Sequence, residues 1–154
     1  MSFINMVDKD KLSHATEDYL KAIYELERDN SPVSTNALAL KMGFAPSSIT
    51  GMLKKISINS PTLINYETRK GVVLTNVGQK VALEIIRHHR LIELYLTKAL
   101  GYSSDKVHEE ADRLEHVISE EFEDKIALIL GDPKIDPHGE PIPSKDDTII
   151  DKDQ

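Results

Sequence analysis

The sequence predicts a mainly α protein in two parts, an N-terminal helix-turn-helix with a β-hairpin followed by an all-helical segment. Three observations point there. Apolar residues recur at i, i+3, i+4 and i+7 in several stretches, the period of an amphipathic helix. Two short helical stretches lie three or four residues apart with Gly43 between them. Two β-prone runs flank a basic turn containing Gly71.

The first helix is expected from His14 to about Arg28, with Tyr19, Ala22, Ile23 and Leu26 on one stripe, and Asp29-Asn30-Ser31-Pro32 ends it. Ser34 suits the N-cap of a second helix carrying Leu38 and Met42, which Gly43 stops. Pro46 fits the start of a third, whose stripe is Ile49, Leu53 and Ile56. Leu63-Ile64-Asn65-Tyr66 and Val72-Val73-Leu74-Thr75, joined by Glu67-Thr68-Arg69-Lys70-Gly71, read as a hairpin. A helix-turn-helix followed by a basic-tipped hairpin is a winged helix.

A long helix is expected from Asn76 to about Leu100, through Val81, Ile85, Ile92 and Leu96, with Gly101 as its stop. Ser103 or Ser104 starts another through Val107, Ala111, Leu114 and Ile118, and Ser119-Glu120-Glu121 marks the break before a last helix ending near Leu130. From Gly131, with Pro133, Pro137, Pro141 and Pro143, the chain is expected to be extended. The resulting division is 1–75, winged helix; 76–143, helical domain; and 144–154, flexible tail.

The 154 residues suffice for one domain or two small ones. No apolar run approaches the ~20 residues of a membrane span, and the N-terminus lacks the basic-then-apolar pattern of a signal peptide. A cytoplasmic protein is expected. The absence of cysteine excludes disulfides, thiolate zinc, iron–sulfur clusters and cysteine nucleophiles.

A net charge of −7 argues at first against a polyanionic partner. The charge is uneven, however: residues 1–75 carry net +1 and residues 76–154 carry −8. Between 34 and 75, Lys41, Lys54, Lys55, Arg69 and Lys70 face Glu67 alone. On the third helix, Ser47, Ser48 and Thr50 are short polar residues suited to a major groove, and Lys54 and Lys55 can reach phosphates. Arg69 and Lys70 at the hairpin tip would meet the backbone or minor groove. The pattern alone favours DNA binding over a protein-interaction module built on the same fold.

The second half holds a different constellation. His108, Asp112, Glu115 and His116 stand at i, i+4, i+7 and i+8 on one helical face, and His89 and Glu93 form an i, i+4 pair on the preceding long helix. Such residues can be a solvated polar face. Two histidines and two carboxylates on one face are costly to bury unless a cation compensates, which makes a metal site the alternative. A nitrogen and oxygen set without sulfur suits Mn(II), Fe(II), Co(II) or Zn(II).

Five ordered segments now carry a resemblance: Thr16-Glu17-Asp18-Tyr19-Leu20-Lys21-Ala22-Ile23-Tyr24, Pro46-Ser47-Ser48-Ile49-Thr50, Arg87-His88-His89-Arg90-Leu91, the run from Lys106 to Val117, and Pro137-His138-Gly139-Glu140-Pro141-Ile142-Pro143. From about Ser13 to Pro143 the sequence resembles the diphtheria toxin repressor family of iron- and manganese-dependent repressors. The resemblance implies a metal-activated homodimer whose winged helix binds double-stranded operator DNA and whose helical domain dimerises and binds metal. It implies one metal site of Asp18, Asp112, Glu115 and His116 and a second of His89, Glu93 and His108. The expected DNA-contacting residues are Ser34 and Thr35, then Ser47, Ser48, Thr50, Gly51, Lys54 and Lys55, and Arg69 and Lys70.

Asp18 and Asp112 stand where iron-type members have methionine and cysteine, and hard oxygen ligands favour Mn(II). Mn(II) is therefore the expected cofactor, Fe(II) the next, with Zn(II) or Co(II) as substitutes in vitro. Lys21 departs from the manganese branch, where a glutamate bridges two metals, and shifts weight to the His89, Glu93, His108 site. Gly51 replaces a longer side chain, and many relatives continue beyond the segment matching Pro137–Pro143 into an SH3-like domain. The expected function is metal-dependent repression of metal-uptake genes, not enzymatic, with a metal tying Asp18 of the DNA-binding half to the helical half. The competing readings are a winged-helix regulator of a non-metal ligand and a metal-dependent hydrolase using the same cluster.

Overall fold

A computed structural model describes residues 12–148. Its element order is α1 (His14–Glu27), α2 (Thr35–Met42), α3 (Pro46–Ser57), β1 (Ile64–Glu67), β2 (Gly71–Leu74), α4 (Asn76–Leu100), α5 (Ser104–Leu114) and α6 (Glu120–Ile129). The described residues fall into two units, 12–82 and Leu83–Thr148. None of the helices described is long and apolar enough to cross a membrane.

In the first unit the helix starts follow capping chemistry. Ser13 and Ser34 accept hydrogen bonds from the amides of Thr16 and Ala37, satisfying donors that a helix N-terminus leaves unpaired. Gly43 ends α2 in the left-handed conformation at φ 72°, and Pro46 opens α3, so the turn between them is short. Most of the expected stripes are buried: Tyr19, Ala22 and Ile23 on α1, Leu38 on α2, and Ile49, Leu53 and Ile56 on α3 close one core with Leu63, Ile64, Val72, Val81 and Ala82, while Leu26 and Met42 pack against it half-buried. Each large aliphatic side chain so buried stabilises the fold by about 1.5–3 kcal/mol.

The wing is an antiparallel pair in the register Ile64↔Leu74 to Glu67↔Gly71, with Arg69 at φ 71° in its turn. Val33 adds a bridge to Val72, exchanging both backbone bonds at 2.9 Å. This contact explains Gly71, since a β-carbon there would stand 2.5 Å from the Val33 carbonyl oxygen.

The second unit packs Ile92 and Leu96 of α4 against Val107, Ala111 and Ile126, while Leu91 and Leu94 meet Ala127 and Ile142. Three features differ from the sequence expectation. The helix expected to continue through Ile118 ends at Leu114. The Glu115 amide still reaches Ala111, but Val117 bonds back to Leu114, and Ser119 is taken as the N-cap of α6. Ile118 nonetheless packs against the core from outside the helix.

The segment after Gly131 folds back on itself rather than running extended. Ile135 bridges Pro141, and Asp136 closes a loop by accepting the amides of His138 and Glu140. The third difference lies in the expected flexible tail. Asp146–Thr148 form a 3-10 turn in which Asp147 accepts from the amide and hydroxyl of Ser144 and Thr148 is buried. Residues 149–154 lie outside the described residues.

Candidate metal centre and DNA-facing surface

Within the second unit, α4 presents His89 and Glu93 one turn apart, and α5 brings His108 to them. His89 Nε2 lies against Glu93 Oε1 and 3.1 Å from His108 Nδ1, and His108 Nδ1 lies 3.1 Å from the same carboxylate oxygen. The other face of the His89 ring meets a second acidic set, with Nδ1 at 2.5 Å from Glu115 Oε2 and 3.3 Å from Asp112 Oδ1. His89 thus belongs to two groups, His89–Glu93–His108 and His89–Asp112–Glu115. An imidazole can ligate through one nitrogen while donating from the other to a carboxylate, and that second bond sets its tautomer.

His116 lies in the turn after α5 rather than on it, with Nε2 at 3.5 Å from Glu115 Oε1. The helix break changes the expected four-residue face: His108 and Asp112 remain on α5, Glu115 is its C-cap, and His116 reaches Glu115 from the turn. Asp18 sits on α1 in the first unit, on an exposed position.

Two residues absent from the sequence-derived set join the cluster. The loop closed by Asp136 sets His138 Nδ1 at 3.1 Å from Glu93 Oε2 and 3.9 Å from Asp136 Oδ2, so Glu93, Asp136 and His138 form another group. The sequence predicts an extended segment here and so reports neither the loop nor its return to α4.

Glu93 is 2% exposed. Burial pushes its pKa up, but hydrogen bonds and charge from His89 and then His108 outweigh that and hold it below the ordinary value. Its Oε2 is buried without a hydrogen bond, because His138 Nδ1 approaches without bonding geometry. An ionised, partly unsatisfied buried carboxylate costs free energy that a coordinated cation would recover. The donors are imidazole nitrogens and carboxylate oxygens, so the cluster fits a divalent first-row ion.

A further acidic cluster, Glu84, His88 and Glu123, is also buried. It is different in kind, since Arg87 Nε pairs with Glu123 Oε1 at 2.7 Å and Lys145 Nζ approaches Oε2 at 3.9 Å. Protein cations already balance its charge.

On the first unit, Ser34, Ser47, Ser48, Gly51, Lys54, Lys55, Arg69 and Lys70 are exposed, and Thr35 and Thr50 are half-buried. Ser34 Oγ is engaged as the α2 cap at 3.0 Å from the Ala37 amide. Ser47 and Ser48 open α3 behind Pro46, where backbone N–H groups point outward, and Lys54 and Lys55 lie in its last turns. Lys70 pairs at 3.1 Å with Glu67, an exposed contact of little energy.

Residues 11–72 match the iron dependent repressor N-terminal DNA binding domain, and residues 75–144 match the iron dependent repressor metal binding and dimerisation domain. An uncharacterized HTH-type transcriptional regulator of Methanocaldococcus jannaschii is 33% identical over 120 residues, covering 77% of this chain and 94% of that protein. The diphtheria toxin repressor of Corynebacterium efficiens is 32% identical over 143 residues, covering 93% of this chain but 61% of the repressor. Among solved structures, a manganese-dependent transcriptional repressor in complex with manganese is 36% identical with a TM-score of 0.77, covering 90% of this chain and 63% of that one. The chain therefore spans about three fifths of the length of the diphtheria toxin repressor it matches. Its family is one of DNA-binding transcriptional repressors, not enzymes. With a winged-helix DNA-binding domain and a metal-binding dimerisation domain, the chain belongs to the iron-dependent repressor family.

Proposed function

We propose that this protein is a Mn(II)-dependent homodimeric repressor that binds operator DNA of metal-uptake genes, with Fe(II) the next candidate and Zn(II) or Co(II) able to substitute in vitro. The observation that carries the metal dependence is Glu93, a buried ionised carboxylate facing imidazoles with one oxygen left without a hydrogen bond. His89, Glu93 and His108 would hold one ion, with Asp136 and His138 against the second oxygen of Glu93. Asp112, Glu115 and His116 would serve a second ion, and Asp18 joins them on the strength of its motif position. A bound cation supplies positive charge that neutralises the acidic cluster. The preference for Mn(II) rests on the donor set, in which carboxylates stand where softer ligands would select other metals.

Ser47, Ser48 and Thr50 would read bases, with Gly51 lying on the same DNA-facing surface without a side chain to contribute, Lys54, Lys55, Arg69 and Lys70 on phosphates and Ser34 and Thr35 beside the backbone. The test is selection of randomised duplex DNA by chelator-stripped protein with and without micromolar Mn(II). Enrichment of a palindromic site with Mn(II) alone is the expected result. The same site enriched in both states would leave the DNA reader standing and overturn the metal control. Enrichment in neither, with Fe(II) also tried, would overturn the repressor reading.

A further inference from the structure

His88 neighbours the metal cluster without pointing at it. It immediately precedes His89 on α4 and is 5% exposed, with both ring nitrogens engaged. Nδ1 lies 3.1 Å from the carbonyl oxygen of Glu115 and Nε2 lies 2.8 Å from Glu123 Oε2. A carbonyl oxygen only accepts, so Nδ1–H donates to it.

The position of that carbonyl matters. Glu115 is the C-cap of α5, where the last carbonyls of a helix have no intrahelical donor. The ring of His88 fills that need from a neighbouring helix and supports the stop of α5. The residue so anchored carries a carboxylate 2.5 Å from His89 Nδ1, and the next residue is His116. Together with the Glu115 amide's bond to Ala111, that hydrogen bond holds the backbone from which two of the candidate ligands project.

Glu123 in turn holds the ring. Its two oxygens divide between His88 and Arg87 Nε, and Arg87 Nη1 donates to the Pro143 carbonyl at 2.9 Å. The ring cannot swing away from Glu115 without abandoning a buried carboxylate, which makes the orientation costly to lose.

We infer that His88 is a positioning residue for the metal centre, held by Glu123 and acting through the Glu115 backbone to set the geometry of Glu115 and His116. This rests on the metal-dependent reading above. It concerns a partner outside the ligands, of the kind whose loss weakens metal affinity by about 10–100-fold.

The nitrogen positions make the inference testable. In His88→Asn the side-chain amide nitrogen can take the place of Nδ1 and keep the bond to Glu115; in His88→Gln it takes the place of Nε2 and faces Glu123; in His88→Phe both bonds are lost at similar shape. Mn(II) affinity is read by electron paramagnetic resonance of the free ion, with circular dichroism and thermal unfolding in chelator reporting the metal-free fold. His88→Asn is expected to bind close to wild type, and the Gln and Phe variants about 10–100-fold more weakly. Gln binding as tightly as wild type, or Asn as weakly as Phe, overturns the inference.

Should the His88 variants not fold, Glu123→Gln and Glu123→Leu decide the matter. Both remove the ion pair with Arg87, and thermal unfolding in chelator measures how much of any loss is structural. The inference requires Gln, which keeps an acceptor for the ring, to retain metal affinity that Leu loses. Equal affinities in the two variants overturn it. A wild-type protein that takes up no Mn(II) overturns the metal-dependent reading and this inference together, whereas wild-type binding unaffected in every variant overturns the inference alone.

Discussion

The carbonyl oxygen of Leu63 occupies the space that a β-carbon on Gly78 would need. A side chain there would come closer to it than the 3.0 Å that real β-carbons respect, and the obstacle is backbone rather than a movable side chain. Gly78 stands in the first turn of α4, where its amide is capped by Thr75 Oγ1 at 3.1 Å, and the Thr75 amide bonds the same Leu63 carbonyl at 3.0 Å. Helix propensity would make Gly78→Ala stabilising by at most about 1 kcal/mol. Forcing the hairpin away from α4 costs about 1–3 kcal/mol. The steric term is expected to win, because the clash is with a fixed carbonyl that already accepts a bond. Thermal unfolding should show Gly78→Ala melting several degrees lower, and an unchanged or raised Tm would refute the close-approach argument.

Glu123 makes the second unit sensitive to acid. Burial raises its pKa, but the hydrogen bond and charge of His88, then Arg87 and Lys145, outweigh burial and bring it from 4.5 to about 2. The folded value is depressed, so the contribution to stability is complete above the unfolded pKa and is lost as pH falls from 4.5 towards 2. The shift corresponds to roughly 3 kcal/mol at neutral pH, of which about 2 kcal/mol is gone by pH 3. Urea unfolding in chelator at pH 6 and pH 3 checks this. Glu123→Gln should be less stable at pH 6 but lose less between the two pH values; parallel losses would mean that the depressed carboxylate lies elsewhere.

The fold was legible where local chemistry decides it. Ser34, Gly43 and Pro46 mark their helix ends through capping and backbone preference, and the stripes on α1 and α3 announce the core by periodicity. The end of α5 was not legible, because Val117 and Ile118 continue the apolar pattern while a hydrogen bond from His88, distant in sequence, supports the stop. The His89 and Glu93 pair was legible by its i, i+4 spacing, whereas the grouping of His108 with it came from the family resemblance and not from spacing. Asp136 and His138 come to Glu93 only through a loop closed by side-chain-to-backbone bonds, and no spacing rule reports such a return.

The wing is expected to act through phosphates. Arg69 and Lys70 are exposed at the hairpin tip, and the Lys70 pairing with Glu67 is too weak to withhold it from DNA. Each phosphate contact removed should reduce the slope of log K against log salt by about 0.9. Arg69→Ala/Lys70→Ala should therefore weaken binding evenly across sequences and flatten the slope by one to two. A slope equal to wild type in fluorescence anisotropy titrations across salt would take the wing off the DNA.

Phe122 and Ile129 stand at i and i+7 on α6, 49% and 71% exposed. Large apolar groups on one helix edge of a dimerisation domain are expected to be covered by the second copy. Losing each from an interface costs about 1.5–3 kcal/mol, roughly tenfold or more in dimer affinity. Sedimentation of Phe122→Ser/Ile129→Ser at concentrations where wild type is dimeric should show monomer with an unchanged circular dichroism spectrum. A variant that remained dimeric would move the interface to another face.

Glu93 offers the most direct test of the cluster. Its Oε1 serves His89 and His108 while its Oε2 faces His138, so one carboxylate is common to both groups. Glu93→Gln keeps the shape and removes the charge, and the amide nitrogen that replaces one oxygen cannot ligate. A ligand at a hundred times its Kd stabilises the folded state by about 2.7 kcal/mol. Wild type should therefore melt several degrees higher with Mn(II) than in chelator, and the variant should lose most of that rise. If Glu93→Gln kept the full Mn(II)-induced shift, the stabilising ion would have to be held by the ligands on the other side of His89, and Asp112→Asn would then be the variant that abolishes it.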